Sequence, residues 1–462
     1  MLRRRFVVAL GVSALAAVAG AAPASGSAPT TLRHLGQATS WGGSISNAVS
    51  PRPETCTEFT CNTYDVAVGV APGTWRPPGG LLVSLKWPDA QLDAFYDLDV
   101  YVYGPDGKLA ARSNNVTYSS AEGAWVQNPK NGRYRIVVVP RDVIGTSPYR
   151  LRAALKRGWT VHTPQTSQVA DPTGTGTLPY TPDFTFLGTR PRHPKALLPD
   201  LAPDKPKNFH IESAVGGTFY QSMDRNLRHQ PSCYAQETTG ADADRPGDQQ
   251  PGALRCLRFD QSLINRGRGP FEIRAYPNNG NGTDAWQVVY RTDGTYFGRK
   301  AGEAVFSNAH GHIHYRHFDD TGLYTVGPHG RPGKLVKAMV DKGRCAVDTT
   351  DVAFGTPREG PAHYYVPSTC DQNDNQDPRD PAYKNASYFR SAISPGWADT
   401  YPWFIPDSYI DITHVPDGRY IIVDRINEAG HVLESSRSNN TSMACVEFHG
   451  TTVSGCPTLS GG

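Results

Sequence analysis

After its first 27 residues the chain has no apolar run near the roughly 20 residues that a membrane-spanning helix needs, so no span is expected there. It has no Lys/Arg run either, and its net charge of +3 is too small for a nucleic-acid footprint. Nucleic acid is therefore excluded as a partner. No Cys-x-x-Cys pair occurs, which argues against a thiolate metal site. No internal repeat is visible, so a repeat architecture is not expected.

Glycine and proline are plentiful, with 46 and 38 residues beside a hydrophobic content of 38%. That balance suits a loop-rich, all-β protein with enough apolar segments to build cores. A length of 462 residues calls for two or three domains. Arg3, Arg4 and Arg5 stand ahead of an apolar stretch from Phe6 to Ala22, followed by small residues. This reads as a signal peptide over residues 1–27. Eight cysteines in an exported chain read as four disulfides, and place the protein outside the cell, secreted or at its surface.

Residues 40–157 read as an accessory β-sandwich. Tyr96-Asp97-Leu98-Asp99-Val100-Tyr101-Val102-Tyr103 alternates and ends at the turn Gly104-Pro105-Asp106-Gly107. A second alternating run, Gly132 to Val139, is expected to stop at Pro140. Asp97 and Asp99 have the chemistry to hold calcium, although a solvated pair is the plainer reading. Residues 158–196, rich in Pro, Gly and Thr, read as a linker. Residues 197–457 form the second domain, also of β-sandwich type.

The strongest chemical signal is Asn308-Ala309-His310-Gly311-His312-Ile313-His314, and four of the 14 histidines fall between 310 and 317. Alternate residues of a strand face the same way, roughly 6.5–7 Å apart, which suits two ligands of one metal. His310 and His314 would be about 13 Å apart on a straight strand, so the backbone must bend, and Gly311 would permit it. Three neutral imidazoles suit copper or zinc and argue against magnesium or calcium. No Glu stands beside them as in His-Glu-x-x-His sites, which disfavours a zinc hydrolase.

Two resemblances follow from these residues. Asp97-Leu98-Asp99 and Asn131-Gly132-Arg133-Tyr134 resemble accessory domains of the pre-peptidase C-terminal type, which implies adhesion or substrate approach without chemistry. Residues 197–457 resemble a lysyl oxidase catalytic domain. The likeness is carried by Leu198-Pro199-Asp200-Leu201-Ala202-Pro203-Asp204, Leu257-Arg258-Phe259 with Asn265-Arg266-Gly267, and His310, His312 and His314. It continues through Ser394-Pro395-Gly396-Trp397-Ala398-Asp399-Thr400-Tyr401, Tyr409 to Tyr420, Glu434-Ser435 and Asn439-Asn440.

The lysyl oxidase resemblance implies oxidative deamination of primary amines, either peptidyl lysine or small alkylamines. The products are an aldehyde, ammonia and hydrogen peroxide, and molecular oxygen is the oxidant. It implies copper on His310, His312 and His314. It also implies a lysine tyrosylquinone made from Tyr401 and a lysine, for which Lys342 in Lys342-Gly343-Arg344-Cys345 is the best match. That segment is one residue shorter than the family's and lacks its Phe. Lys334 and Lys337 are fallbacks, and Asp320 and Asp399 are candidates for the base. Calcium is implied at Asp200, the carbonyl of Leu201, Glu434, Asn439 and Asn440. The alternative is an exported metal-binding or adhesion protein that keeps the fold without the oxidase activity.

Overall fold

The computed structural model describes residues 29–50, 52–57, 60–75, 79–88, 96–113, 119–157, 160–161, 169–170, 177–178, 184–185, 193, 195–213, 255–277, 283–292, 296–307, 312–316, 318–339, 343–356, 358–359, 389–404 and 408–456. Among them the chain is all-β, with no α-helix and none long and apolar enough to cross a membrane.

Nine strands build an N-terminal sandwich. They are β1 (Thr30–Leu32), β2 (Ala38–Ser46), β3 (Asn62–Val68), β4 (Gly79–Lys86), β5 (Tyr96–Tyr103), β6 (Leu109–Ser113), β7 (Ala121–Gln127), β8 (Gly132–Val143) and β9 (Thr146–Arg157). One sheet runs β1-β3-β8-β5-β6 and the other β2-β9-β4-β7. Period-two alternation turns Leu98, Val100 and Val102 of β5 and Ile136 and Val138 of β8 inward. There they meet Leu81, Val83 and Leu85 of β4 and Leu151 and Leu155 of β9. The Cys56–Cys61 disulfide closes a short loop beside Tyr101, Val137 and Val139 on the outer face of the first sheet.

Two expectations are corrected here. β8 does not stop at Pro140 but continues to Val143, and the β5–β8 register shifts by a bulge between Asp97 and Leu98, where Pro140 stands opposite. A bulge needs no donor from that position, which is why proline is tolerated. Asp97 and Asp99 are not solvated but buried. Burial, then the charge of Asp99, pushes the Asp97 carboxyl well above the usual range.

Within the expected linker, β10 (Thr160–Val161) pairs with β13 (Phe184–Thr185), and β11 (Val169–Ala170) pairs with β12 (Thr177–Leu178). Thr, Val and Phe in these short segments have the β-propensity that such pairing needs.

The remainder forms three sheets. The first orders β21 (His312–Tyr315), β20 (Tyr296–Ser307), β19 (Thr283–Arg291), β18 (Phe271–Pro277) and β25 (Phe389–Ile393), with β14 (Ala196–Leu197) on β19. The second orders β15 (Leu201–Pro203), β17 (Arg255–Asn265), β26 (Trp397–Tyr401) and β24 (Thr350–Asp351), with β16 (Lys207–Ser213) and β27 (Tyr409–Asp411) also on β17. The third orders β23 (Pro332–Ala338), β22 (Asp319–Val326), β28 (Gly418–Ile426), β29 (Thr441–His449) and β30 (Thr452–Gly455). β17 is buried on both faces after its first residue, with Leu257 and Phe259 in one core and Leu263 in another. The Cys445–Cys456 disulfide ties β29 to the end of β30, and Cys256 and Cys345 are also disulfide-bonded.

Candidate active site

The Tyr401 strand is placed by its own sequence. Ser394-Pro395-Gly396 forms the turn into β26. Asp348 accepts hydrogen bonds from the Ser394 amide and hydroxyl, both at 2.7 Å. Gly396 sits at φ 82°, a conformation that favours glycine, and its amide donates to the carbonyl of Asn265 at 2.8 Å. β26 then runs antiparallel to β17, with Tyr401 opposite Gln261 and Asp399 opposite Leu263. Because strand faces alternate, Asp399 and Tyr401 share a face.

β21 carries the histidines. His312 stands opposite Ser307 and His314 opposite Val305 of β20, and the imidazole of His314 is buried. His310 and Lys342 lie outside the described residues, as does the side chain of His312.

The segment after Lys342 closes the distance between these strands. A Cβ built on Gly343 would fall 2.7 Å from the Cβ of His314 and 3.2 Å from its Nδ1, so only glycine lets this backbone lie against the imidazole. The next residue, Arg344, pairs with Tyr315, and the Tyr315 amide donates to the Arg344 carbonyl at 3.0 Å. The Arg344 side chain is buried and crosses to β26, where its Cζ stands 4.3 Å from the centroid of the Tyr401 ring. Two contiguous residues therefore touch both the histidine strand and the tyrosine.

Two carboxylates bracket the guanidinium. Arg344 Nε donates to Asp319 Oδ2 at 2.6 Å, and Nη1 donates to Asp399 Oδ2 at 2.9 Å. Burial alone would lower the affinity of Arg344 for its proton, but Asp319 and Asp399 outweigh it and hold the group charged. Burial pushes the Asp399 carboxyl up to about 6, against the opposite pull of Arg344. Behind them, Gln261 donates to Thr321 Oγ1 at 2.9 Å, and Thr321 donates to Asp424 at 3.0 Å. Burial, then the charge of Asp319, also raises Asp424.

Sequence reasoning missed Arg344 and Asp319. Asp320, the residue considered on β22, is half-buried opposite Arg425, while Asp319, one residue earlier and on the other strand face, meets Arg344. A signal for Arg344 was present: a charged residue directly before the apolar Cys345-Ala346-Val347. Lys334 is exposed, and Lys337 lies 3.9 Å from Asp411.

The second group of candidate ligands is assembled around Glu434. Glu434 accepts from the Leu201 amide and from Asn440 Nδ2, both at 2.8 Å, and Asn439 Nδ2 donates to Asp200 at 3.0 Å. Asn265 accepts from the Asp200 amide at 3.2 Å and so fixes the Asp200 turn. Asn439 Oδ1 and Asn440 Oδ1 are buried and accept no hydrogen bond among the described residues. Unpaired amide oxygens beside two carboxylates form a donor set that suits a hard cation such as calcium.

The lysyl oxidase family's sequence profile matches residues 364–456 of this chain, about a fifth of its length. The matched stretch holds Tyr401, Glu434, Asn439 and Asn440, while the histidine strand and Lys342 precede it. No curated protein matches the chain. Among solved structures, the pre-peptidase C-terminal domain of a collagenase from Bacillus anthracis is 13% identical, covers 28% of this chain and 95% of its own, and has a TM-score of 0.18. That likeness is too slight to carry a conclusion.

Proposed function

We propose that this chain is an exported amine oxidase of the lysyl oxidase type, acting on primary amines such as peptidyl lysine or small alkylamines. The carrying observation is the two-residue bridge: Gly343 packs on His314 while Arg344 covers the ring of Tyr401. The family match over residues 364–456 supports the same reading from the tyrosine side.

In this reading His310, His312 and His314 hold copper, and Lys342 next to Gly343 is the crosslinking lysine. Copper and the quinone derived from Tyr401 and Lys342 supply the two-electron sink that ordinary side chains lack. The chain's own residues do the rest. Arg344 fixes the plane of the Tyr401 ring from one side and pins Asp399 Oδ2. Asp399, poised near 6 and on the same strand face as Tyr401, is the base that takes the proton from the substrate carbon. Asp319 holds the other edge of Arg344 and keeps that geometry when Asp399 changes charge. Asp200, Leu201, Glu434, Asn439 and Asn440 hold calcium beyond this centre and tie β15 to the loop before β29.

Mass spectrometry of copper-loaded protein tests the reading. A covalent link between the peptides bearing Lys342 and Tyr401, absent in Tyr401→Phe, accompanied by amine-dependent peroxide, is the expected result. Copper bound at the histidines with neither link nor peroxide would leave a metal-binding protein instead.

A further inference from the structure

The N-terminal sandwich does not merely precede the Tyr401 domain; it is hydrogen-bonded to it. Ser120 donates its amide and Ser119 its hydroxyl to the carbonyl of Thr349, both at 2.9 Å. Lys86, at the end of β4, donates to the carbonyl of Asp351 at 2.7 Å. Glu359, whose side chain is wholly buried, is paired with Arg152 and Lys156 of β9, the latter at 3.0 Å. Ala121 of β7 packs in the same core as Leu201, Leu263, Phe271 and Trp397.

Thr349, which receives the two serine bonds, faces the Tyr401 strand on its other side. Thr349 donates its amide to the carbonyl of Ala398 at 2.9 Å, and its hydroxyl accepts from the amide of Thr400 at 2.7 Å. Thr350 adds a hydroxyl contact to Thr400 at 3.0 Å. Thr400 is the immediate neighbour of Tyr401. One residue, Thr349, thus has its carbonyl on the sandwich and its amide and hydroxyl on the strand that carries the tyrosine.

We propose that the sandwich is a brace for the Tyr401 strand: Ser119 and Ser120 act from outside that strand's domain through Thr349, and all three are positioning residues. This role differs from adhesion or substrate approach, and it holds whether or not the chain oxidises amines. Physically, β24 contributes only two residues to the sheet, and so short an edge strand needs outside support. The sandwich supplies that support through backbone bonds and a buried ion triad.

Hydrogen–deuterium exchange of the full-length, copper-free chain tests the proposal. Reversing the buried charge with Glu359→Lys sets three cations together and should raise exchange in the peptide covering Trp397–Tyr401 on the order of tenfold. Exchange in β28, which is bonded to neither β24 nor β26, should change less than twofold. The pair Lys156→Glu with Glu359→Lys should restore most of the protection. Should Glu359→Lys unfold the chain as a whole, Lys86→Met, which removes the bond to the Asp351 carbonyl and the nearby cation but leaves the Glu359 triad intact, is expected to give a smaller rise in the same peptide. Unchanged exchange in the Tyr401 peptide, in a variant whose sandwich melts as a separate transition, overturns the proposal.

Discussion

The N-terminal sandwich and the Tyr401 domain keep their interiors in different ways. Between the sandwich's two sheets lie Val, Leu, Ile and Ala with a few aromatics, fed by alternate positions of nine strands. Around Tyr401 the interior instead holds Arg344, Asp319, Asp399 and Asp424, with Arg258, Glu272, Arg274 and Arg390 buried elsewhere among the same sheets. Apolar packing is non-directional and tolerates small changes, whereas a buried charge is acceptable only while each partner stays in place. The sandwich, whose buried acids Asp97, Asp99 and Glu122 are few beside its large apolar core, is therefore built chiefly to hold shape, and the Tyr401 domain to hold specific groups in specific places at a cost in tolerance.

That contrast can be broken at its strong end first. Arg344→Ala leaves Asp319 and Asp399 buried without their cation and should destabilise the protein by about 3–5 kcal/mol in chemical denaturation. It should also abolish amine-dependent peroxide. A loss under about 1 kcal/mol would show that the charges around Tyr401 are hydrated rather than locked.

Next comes pH. Asp351, at the junction of the two regions, is pushed up to about 7 by burial and then by the charge of Glu359. A carboxyl raised in the folded state contributes stability that is fully present below about pH 4 and is lost as pH rises through about 7. Asp351→Asn should therefore be neutral near pH 4 and more stable than the parent at pH 8 by about 2–4 kcal/mol, read from denaturation midpoints across that range. The amide can still accept from the Ala353 N–H, which lies 2.9 Å from Asp351 Oδ1.

In the sandwich, Ile136→Val should cost about 1 kcal/mol, equally at pH 5 and pH 8, because only packing is lost. A pH-dependent cost there would dissolve the distinction between the two regions. The smallest effect is expected from calcium. A millimolar addition should raise the melting temperature by about 2–4 °C, consistent with a site in the extracellular affinity range. Asn440→Leu should erase that rise.

The alternation of Leu98, Val100 and Val102, and of Ile136 and Val138, was readable because a strand with one apolar face writes its period into the residues. The turn Ser394-Pro395-Gly396 before Tyr401 was readable for a similar local reason: proline and glycine fix backbone angles wherever they stand. β17 was less so, since a strand buried on both faces mixes Arg258, Asp260 and Gln261 with Leu257 and Phe259. The choice between Asp319 and Asp320 turned on a one-residue register that no local signal marks.

By itself the amino-acid order determined an all-β chain with disulfides, a histidine strand and a tyrosine set behind a tight turn. These are properties of neighbours along the chain, governed by periodicity, turn chemistry and cysteine count. Tertiary structure alone decided that Gly343 would meet His314, that Arg344 would cover Tyr401 between two acids, and that a serine pair from the sandwich would reach Thr349. Each of those contacts joins segments far apart along the chain, several of them loops between strands. What selects them is the need to give every buried charge and backbone group a partner, a condition met only once the whole chain is packed.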